Sequence, residues 1–346
     1  MKKKPRKLRV MQLMHADLVP PDSIEGLDEK QMQPFKTEFD VLETLRAELG
    51  HEVLPLGVDS DLGVLRRAIM DFKPHVTFNL LEEFHGVAVY DQHVVSYLEL
   101  MRSRYTGCNP RGLMLAHDKA LSKKVLAFHR VPVPDFAVYP LGQGIRPSKK
   151  LRYPMLVKSL TEEASLGIAQ ASLVQDAAQL KERAEFIHRQ LGTDAIAERF
   201  IDGREFYVGV LGNYRLKVLP VWELVFKNVS DETPLIATAK VKWDPKYQEK
   251  LGVDYRQATG IDKELERRIH HICKRTYRLL NLSGYARIDL RMEEDGKLYV
   301  LEANPNPELQ YGGEFADSAE VSGTPYSVLL QKILQLGLSY RAQWQE

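Results

Sequence analysis

Cysteine is scarce in this sequence: Cys108 and Cys273 are the only two among 346 residues. Two thiols are too few for a disulfide framework, and the expected setting is a reducing cytoplasm. No apolar run approaches the length of a membrane span. Neither sign of charge is in excess, and a formal net charge of +1 gives no reason to expect nucleic acid or an anionic membrane as partner. The opening "MKKKPRK" is basic but short and reads as a solvated arm. "VMQLMHADL" carries His15 and Asp17 where a signal peptide needs an apolar centre. The histidines lack companions. His270 and His271 share a helix, and His85 and His93 lie too far apart for a zinc motif. No Ser-His-Asp or Cys-His arrangement can be argued from spacing. Internal repeats and low-complexity segments are absent too.

What is present is an ordinary globular composition, 44% hydrophobic, in a chain long enough for two or three domains. "KLRVMQLMH", "HEVLPLGV" and "HVTFNLL" read as strands. "TEFDVLETLRAELG" and "DLGVLRRAIMDF" between them read as helices. This order predicts a parallel sheet whose ligands lie beyond the carboxyl ends of its strands. "DKALSKKVLAFHR" is a helix, "YPMLVKSL" a strand and "DAAQLKERAEFIHRQLG" a further helix. "AIAERFI" and "REFYVGVLG" read as strands joined by a "DGR" turn. "KELERRIHHICKRTYRLLNL" is a long amphipathic helix, and a helix closes the chain.

"ARIDLRMEEDGKLYVLEANPNPEL" carries the chemistry. Asp295-Gly296 predicts a two-residue hairpin turn, since glycine and aspartate suit the positive φ that such turns need. Counting outward, Asp289 falls opposite Glu302 and Arg287 opposite Asn304. Opposed residues share a face, with Cβ atoms about 4.5–5.5 Å apart. Two carboxylates, an amide and a guanidinium therefore gather on one side. The pattern fits an exposed face with an Arg–Asp pair. It equally fits oxygen ligation of Mg²⁺ beside an arginine that stabilises developing negative charge.

Several segments resemble a known family. "ARIDLRMEEDGKLYVLEANPNP" looks like the C-terminal metal motif of ATP-grasp ligases. "YTGCNPRGLMLAHDKALSKKVLAFHRVPVP", "YPMLVKSLTEEASLG" and "AERFIDGREFYVGVLGN" resemble D-alanine–D-alanine ligases, from about Phe78 to the terminal helix. The resemblance implies an α/β protein of ATP-grasp fold with a Rossmann-like parallel-sheet domain over 1–110. A central α+β lid over 111–200 and a catalytic domain over 201–346 would follow, with ATP gripped between the last two. It also implies roles by position. Asp289, Glu302 and Asn304 would bind Mg²⁺ (two ions, or Mn²⁺ in its place), and Arg287 would stabilise the tetrahedral intermediate. Lys119 and Lys158 would meet nucleotide phosphates, with Lys242, or Lys240, at the γ-phosphate. Glu198 and Ile201 would meet adenine, Glu205 the ribose and Ser165 the phosphate loop.

The implied activity is ATP-dependent ligation of a small-molecule carboxylate to an amine through an acyl phosphate. A homodimer is allowed. Three departures point to a rebuilt acceptor pocket, one of them "ELQYGGEFADSAEVSG" in place of the family's serine-bearing loop after the metal motif. "SLTEEASLG" keeps only Ser165 and Gly167 of the family's phosphate loop, with Ala164 where a serine is usual. The N-terminal glycine-rich segment is missing from "MQLMHADLVPPDSIEGLDEK". The acceptor candidates are Glu82, Glu83, His85 and Tyr90, then Glu308, Tyr311, Glu314 and Asp317. True D-alanine–D-alanine ligation and an ATP-binding regulator without turnover stand as alternatives.

Overall fold

A computed structural model describes residues 7–148, 151–161, 168–228, 236, 241 and 244–342. The basic arm up to residue 6, Ser165 with the rest of 162–167, and both Lys240 and Lys242 lie outside the described residues.

Three sheets follow one another along the chain. The first holds β1 (Arg9–His15), β2 (Glu52–Val58) and β3 (Val76–Asn79), all parallel in the order β2-β1-β3. Helices α1 (Lys36–Glu43) and α2 (Leu62–Phe72) make the crossovers. β1 is apolar on both faces, with Val10, Met11, Leu13 and Met14 fully buried, as a central parallel strand must be. Its one buried polar residue, Gln12, donates from Nε2 to the Glu38 carbonyl at 2.8 Å. The chain continues through α3 (Asp91–Leu100), α4 (Pro110–His117) and α5 (Lys119–Phe128).

The second sheet is antiparallel, in the order β4-β7-β5-β6. Its strands are β4 (Phe136–Tyr139), β5 (Met155–Ser159), β6 (Leu173–Val174) and β7 (Ala195–Arg199), backed by α6 (Ala177–Leu191). This layer has its own apolar cluster, in which Met155, Val157 and Ala197 meet Leu180, Ala184 and Ile187. The third sheet runs β10-β9-β8-β11-β12. It contains β8 (Arg204–Leu211), β9 (Lys217–Phe226), β10 (Val253–Gln257), β11 (Tyr285–Met292) and β12 (Leu298–Pro305). Helices α7 (Pro245–Leu251), α8 (Lys263–Leu279), α9 (Glu314–Val321) and α10 (Tyr326–Ser339) complete the chain. Helices α4 and α5 contribute Leu113, Ala116 and Leu126 to a cluster shared with Met11 and Leu13 of β1 and Ile288 and Leu290 of β11.

One expectation fails here. β7 and β8, read as two strands joined by a tight turn, belong to different sheets. The "DGR" segment crosses between them. Gly203 allows the crossing, with φ +135° and a backbone so close that a Cβ would lie 2.0 Å from the Met292 carbonyl oxygen. Alternation reports that two segments are strands, not that they pair. The crossing matters because it brings the second and third sheets against one another, with Lys158 of one 3.7 Å from Glu302 of the other.

A second close approach joins the first sheet's exit to the third. Gly284 has φ +71°, and a Cβ there would lie 2.5 Å from the Gly107 carbonyl oxygen. By contrast, Gly26 shares the positive φ (+85°) with nothing within 4 Å. Gly26→Ala should cost only the backbone strain, about 1–2 kcal/mol. Gly284→Ala should add an overpacking cost of roughly 1–3 kcal/mol and lower the thermal midpoint more. Equal shifts in a thermal-unfolding comparison would show that this approach does not limit stability.

Candidate functional site

The site is built on the β11–β12 hairpin. The pairs Arg287↔Asn304 and Asp289↔Glu302 are those counted from the sequence, but they arise differently. The turn is one residue longer than expected. Glu293 N donates to Lys297 O at 3.0 Å and Gly296 N to Glu293 O at 2.9 Å, with Gly296 at φ +81°. A turn followed by a left-handed glycine is the usual three-residue solution. A compensating bulge then shifts the register between Asp289 and Leu290, leaving Leu301 as an extra residue on β12. Two one-residue shifts cancel. The bulged Leu301 carbonyl accepts from the buried Lys123 ammonium of α5, and Val300 N donates to Pro132 O at 2.9 Å. Bulges beside sites re-aim side chains in this way.

Asp289 is buried and held from two sides. Arg287 grips it with a two-pronged fork, Nε–Oδ1 2.7 Å and Nη2–Oδ2 2.9 Å, and Asn304 Nδ2 donates to Oδ2 at 2.9 Å. Arg287 Nη1 also lies 3.5 Å from Glu314 Oε2, at the start of α9. The guanidinium sits over the Tyr207 ring, 4.9 Å from its centroid. Burial works against the Arg287 charge, but Asp289 and Glu314 outweigh it and hold the group charged.

Across the cleft, the second sheet presents Lys158 and Glu198. Lys158 Nζ lies 3.5 Å from Glu198 Oε1 and 3.7 Å from Glu302 Oε2, so it links the two sheets. Lys123 Nζ reaches the same Glu198 oxygen at 3.3 Å. Burial opposes the charge of both lysines. For Lys158 the facing Glu198 and Glu302 prevail and raise its pKa. For Lys123 burial prevails and lowers it. Lys119 is buried at the first turn of α5, four residues before Lys123. Lys123 was missed. Its signal was the i, i+4 spacing in "DKALSK", which places both lysines on one side of the helix.

The crossing residues close the other end. Arg291 donates from Nε and Nη2 to Glu205 Oε2, at 2.8 and 2.6 Å. Its Nη1 reaches the Ile201 carbonyl at 2.8 Å. Tyr207 OH donates to Glu205 Oε1 at 2.6 Å. Thus Glu198 faces two ammonium groups, while Glu205 and the Ile201 carbonyl engage Arg291.

The two acceptor groups divide. Glu83 Oε1 lies 3.5 Å from His15 Nε2, which is also 3.6 Å from Asp59 Oδ1. His85 is exposed in a tight turn, where Phe84 N and Val87 N each bond the other's carbonyl and His85 has φ +57°. Glu82 is exposed too, and Tyr90 packs edge-on against His93. In the second group Glu314 reaches Arg287. Glu308 accepts from Thr37 Oγ1 at 3.0 Å, and Tyr311 N donates to Asp40 Oδ2 at 3.1 Å. Burial raises the Asp317 carboxyl. The sequence reading missed Glu38, which is buried on α1. Burial pushes its carboxyl up to about 7, with Glu308 adding to the effect. The signal was legible, because Glu38 falls in one helical stripe with Val41, Leu42 and Leu45.

Among the described residues, no three His, Cys, Asp or Glu side chains converge as a metal site. The hairpin instead offers two carboxylates and an amide, an all-oxygen donor set that fits Mg²⁺, which keeps waters and phosphate oxygens as its other ligands.

Comparisons with known proteins bear on the family and fold of the chain. The family described as D-ala D-ala ligase C-terminus matches residues 142–335. An uncharacterized protein, y4sG, of Sinorhizobium fredii is 32% identical over 294 residues, 84% of either chain. The D-alanine–D-alanine ligase of Desulforudis audaxviator is 29% identical over 290 residues, covering 83% of this chain and 88% of its own. In structure, the Bacillus anthracis D-alanine–D-alanine ligase complexed with ATP aligns with TM-score 0.74 and 20% identity, covering 96% of this chain and 97% of that one. The VanG D-Ala:D-Ser ligase of Enterococcus faecalis aligns with TM-score 0.70 and 17% identity, covering 96% and 100%.

Glu38 carries a pH prediction. Its carboxyl is raised from 4.5 to about 7 in the folded state. Between those values the folded chain keeps a proton that the unfolded chain has lost, so stability falls as pH rises through that window. The full penalty above it is at most about 3 kcal/mol. Glu38→Gln should therefore raise the thermal midpoint at pH 8 and change it little at pH 4.5. A midpoint at pH 8 no higher than the wild type's would contradict the burial argument.

Proposed function

The chain belongs to the D-ala D-ala ligase C-terminus family, and from that premise we propose that it is an ATP-dependent, ADP-forming carboxylate–amine ligase. One observation carries the reading. Lys158 of the second sheet meets Glu302 of the third at 3.7 Å, across the cleft that the ATP-grasp fold uses for its nucleotide.

In this reading Lys119 and Lys158 supply positive charge to the nucleotide phosphates. Glu198 accepts from the adenine amino group, and it also sets the charge and position of Lys158. Ile201 and Glu205 line the base and ribose end. Lys242 and Ser165 complete the phosphate contacts. Asp289, Glu302 and Asn304 would hold Mg²⁺, as two ions or with Mn²⁺ in its place. The ion's contribution is to neutralise phosphate charge. The substrate carboxylate attacks the γ-phosphorus, ADP leaves, and an acyl phosphate remains. An amine then adds to the acyl carbon. Arg287 stabilises the negative charge that builds on the tetrahedral centre, and phosphate departs while the nitrogen gives up one proton to it or to solvent, leaving the amide. Arg287 is suited to this role because it is held by Asp289 and Tyr207 before any substrate arrives. No protein nucleophile is needed. Cys108 is buried with its thiol pushed up to about 12, and burial likewise raises Cys273. Catalysis is then mainly positioning and electrostatics. Cytoplasmic placement belongs to this proposal, and a homodimer is compatible with it.

ADP release screened across pairs of carboxylates and amines tests the reading. Release that requires both partners supports a ligase; tight ATP binding without partner-stimulated turnover supports a regulator. Glu302→Gln should lower turnover by about 100-fold or more with little change in thermal midpoint, because Lys158 keeps Glu198 as a partner. Asp289→Asn should also stop turnover, but at a cost of about 3 kcal/mol in stability, since it removes the two-pronged carboxylate of a largely buried guanidinium and leaves it only the longer contact to Glu314. Full amide formation by both variants at saturating Mg²⁺ would refute the metal assignment.

The acceptor is proposed to be an amine larger than alanine. Glu314 lies beside Arg287, and the aromatic Tyr311 precedes it. Carboxylates there attract an ammonium group, with Glu82, Glu83, His85 and Glu308 as the remaining candidates. D-alanine should be a poor substrate. Glu314→Gln and Glu83→Gln should raise the KM for the amine and leave ATP affinity unchanged. Efficient D-alanyl-D-alanine synthesis, or an unaltered amine KM in both variants, would overturn this assignment.

A further inference from the structure

Tyr207 lies between the two ends of the cleft and touches a key group at each. It occupies β8 two residues after Glu205, so both side chains share a face. In the β8–β11 ladder Glu205 is opposite Arg291, Tyr207 opposite Asp289 and Gly209 opposite Arg287. The phenol oxygen donates to Glu205 Oε1 at 2.6 Å. The ring carries the Arg287 guanidinium, 4.9 Å from its centroid, while the Tyr255 ring packs on it at 5.9 Å. Tyr207 is 2% exposed. A phenol buried beside a carboxylate stays protonated and can only donate to it.

We propose that Tyr207 is a positioning residue that ties the nucleotide-end carboxylate Glu205 to Arg287, its hydroxyl serving one and its ring the other. This rests on the ligase reading above and adds a division of labour within a single side chain. The hydroxyl orients Glu205 against Arg291, where ribose is recognised. The ring fixes the height of Arg287, and through its fork the position of Asp289, where phosphate and metal are met.

The two functions separate in two variants and two probes, MgATP and magnesium tripolyphosphate, which lacks ribose. Tyr207→Phe keeps the ring and removes the hydroxyl. It should weaken MgATP binding by about three- to tenfold, the scale of one ordinary hydrogen bond, because the hydroxyl acts on the nucleotide only through Glu205, and leave tripolyphosphate affinity unchanged. Tyr207→Leu removes both and should weaken both probes, measured by calorimetry. Equal losses for both probes in Tyr207→Phe would reveal a merely structural tyrosine and overturn the proposal. So would unchanged MgATP affinity in that variant, or identical behaviour of the two variants. A wild-type protein that binds no MgATP would instead overturn the ligase reading, and this inference with it.

Discussion

The cleft between the second and third sheets depends on charges that are buried only because they are paired. Taking an ion out of water costs several kcal/mol even after relaxation, and removing one partner leaves the other stranded. Here the signs alternate through space. Lys123 and Lys158 face Glu198, and Lys158 also faces Glu302. Arg287 is held between Asp289 and Glu314, and Arg291 grips Glu205. Each of these charges has a partner of opposite sign, which offsets the cost of holding them out of water where the two sheets meet.

That arrangement bears on function in two ways. The groups proposed to meet phosphate, metal and acyl centre stand in position beforehand, which is the condition for electrostatic catalysis in a water-poor site. They are also engaged with one another. A ligand entering the cleft exchanges partners rather than filling a vacuum of charge. The Arg287–Asp289 fork and the Arg291–Glu205 pair are therefore both a source of preorganisation and a resistance to binding.

The hairpin shows how far local pattern carries. Alternation and an Asp-Gly pair placed Arg287, Asp289, Glu302 and Asn304 on one face, yet the turn is longer and Leu301 is bulged. The count succeeded because two shifts cancelled, and the second depends on Lys123 from a helix far away in sequence. Glu38 was legible as a carboxylate in an apolar helical stripe. The "DGR" turn was not legible as a sheet crossing, since the close approach of Gly203 to Met292 involves residues far apart in the chain.

The sequence by itself determined the helices and strands of the first sheet, its parallel character and the charged face of the hairpin, but strands such as β4, β9 and β10 were not read from it. These follow from periodicity and turn chemistry, which act over a few residues. Only the tertiary structure decided which sheet each strand joined and which charge each charge would meet. Strand pairing and ion pairing in the interior are set by the least costly way to bury polar groups together. That is a property of the packed whole, since the partners come from segments such as Lys123 and Glu198, or Arg287 and Glu314, that no local pattern connects.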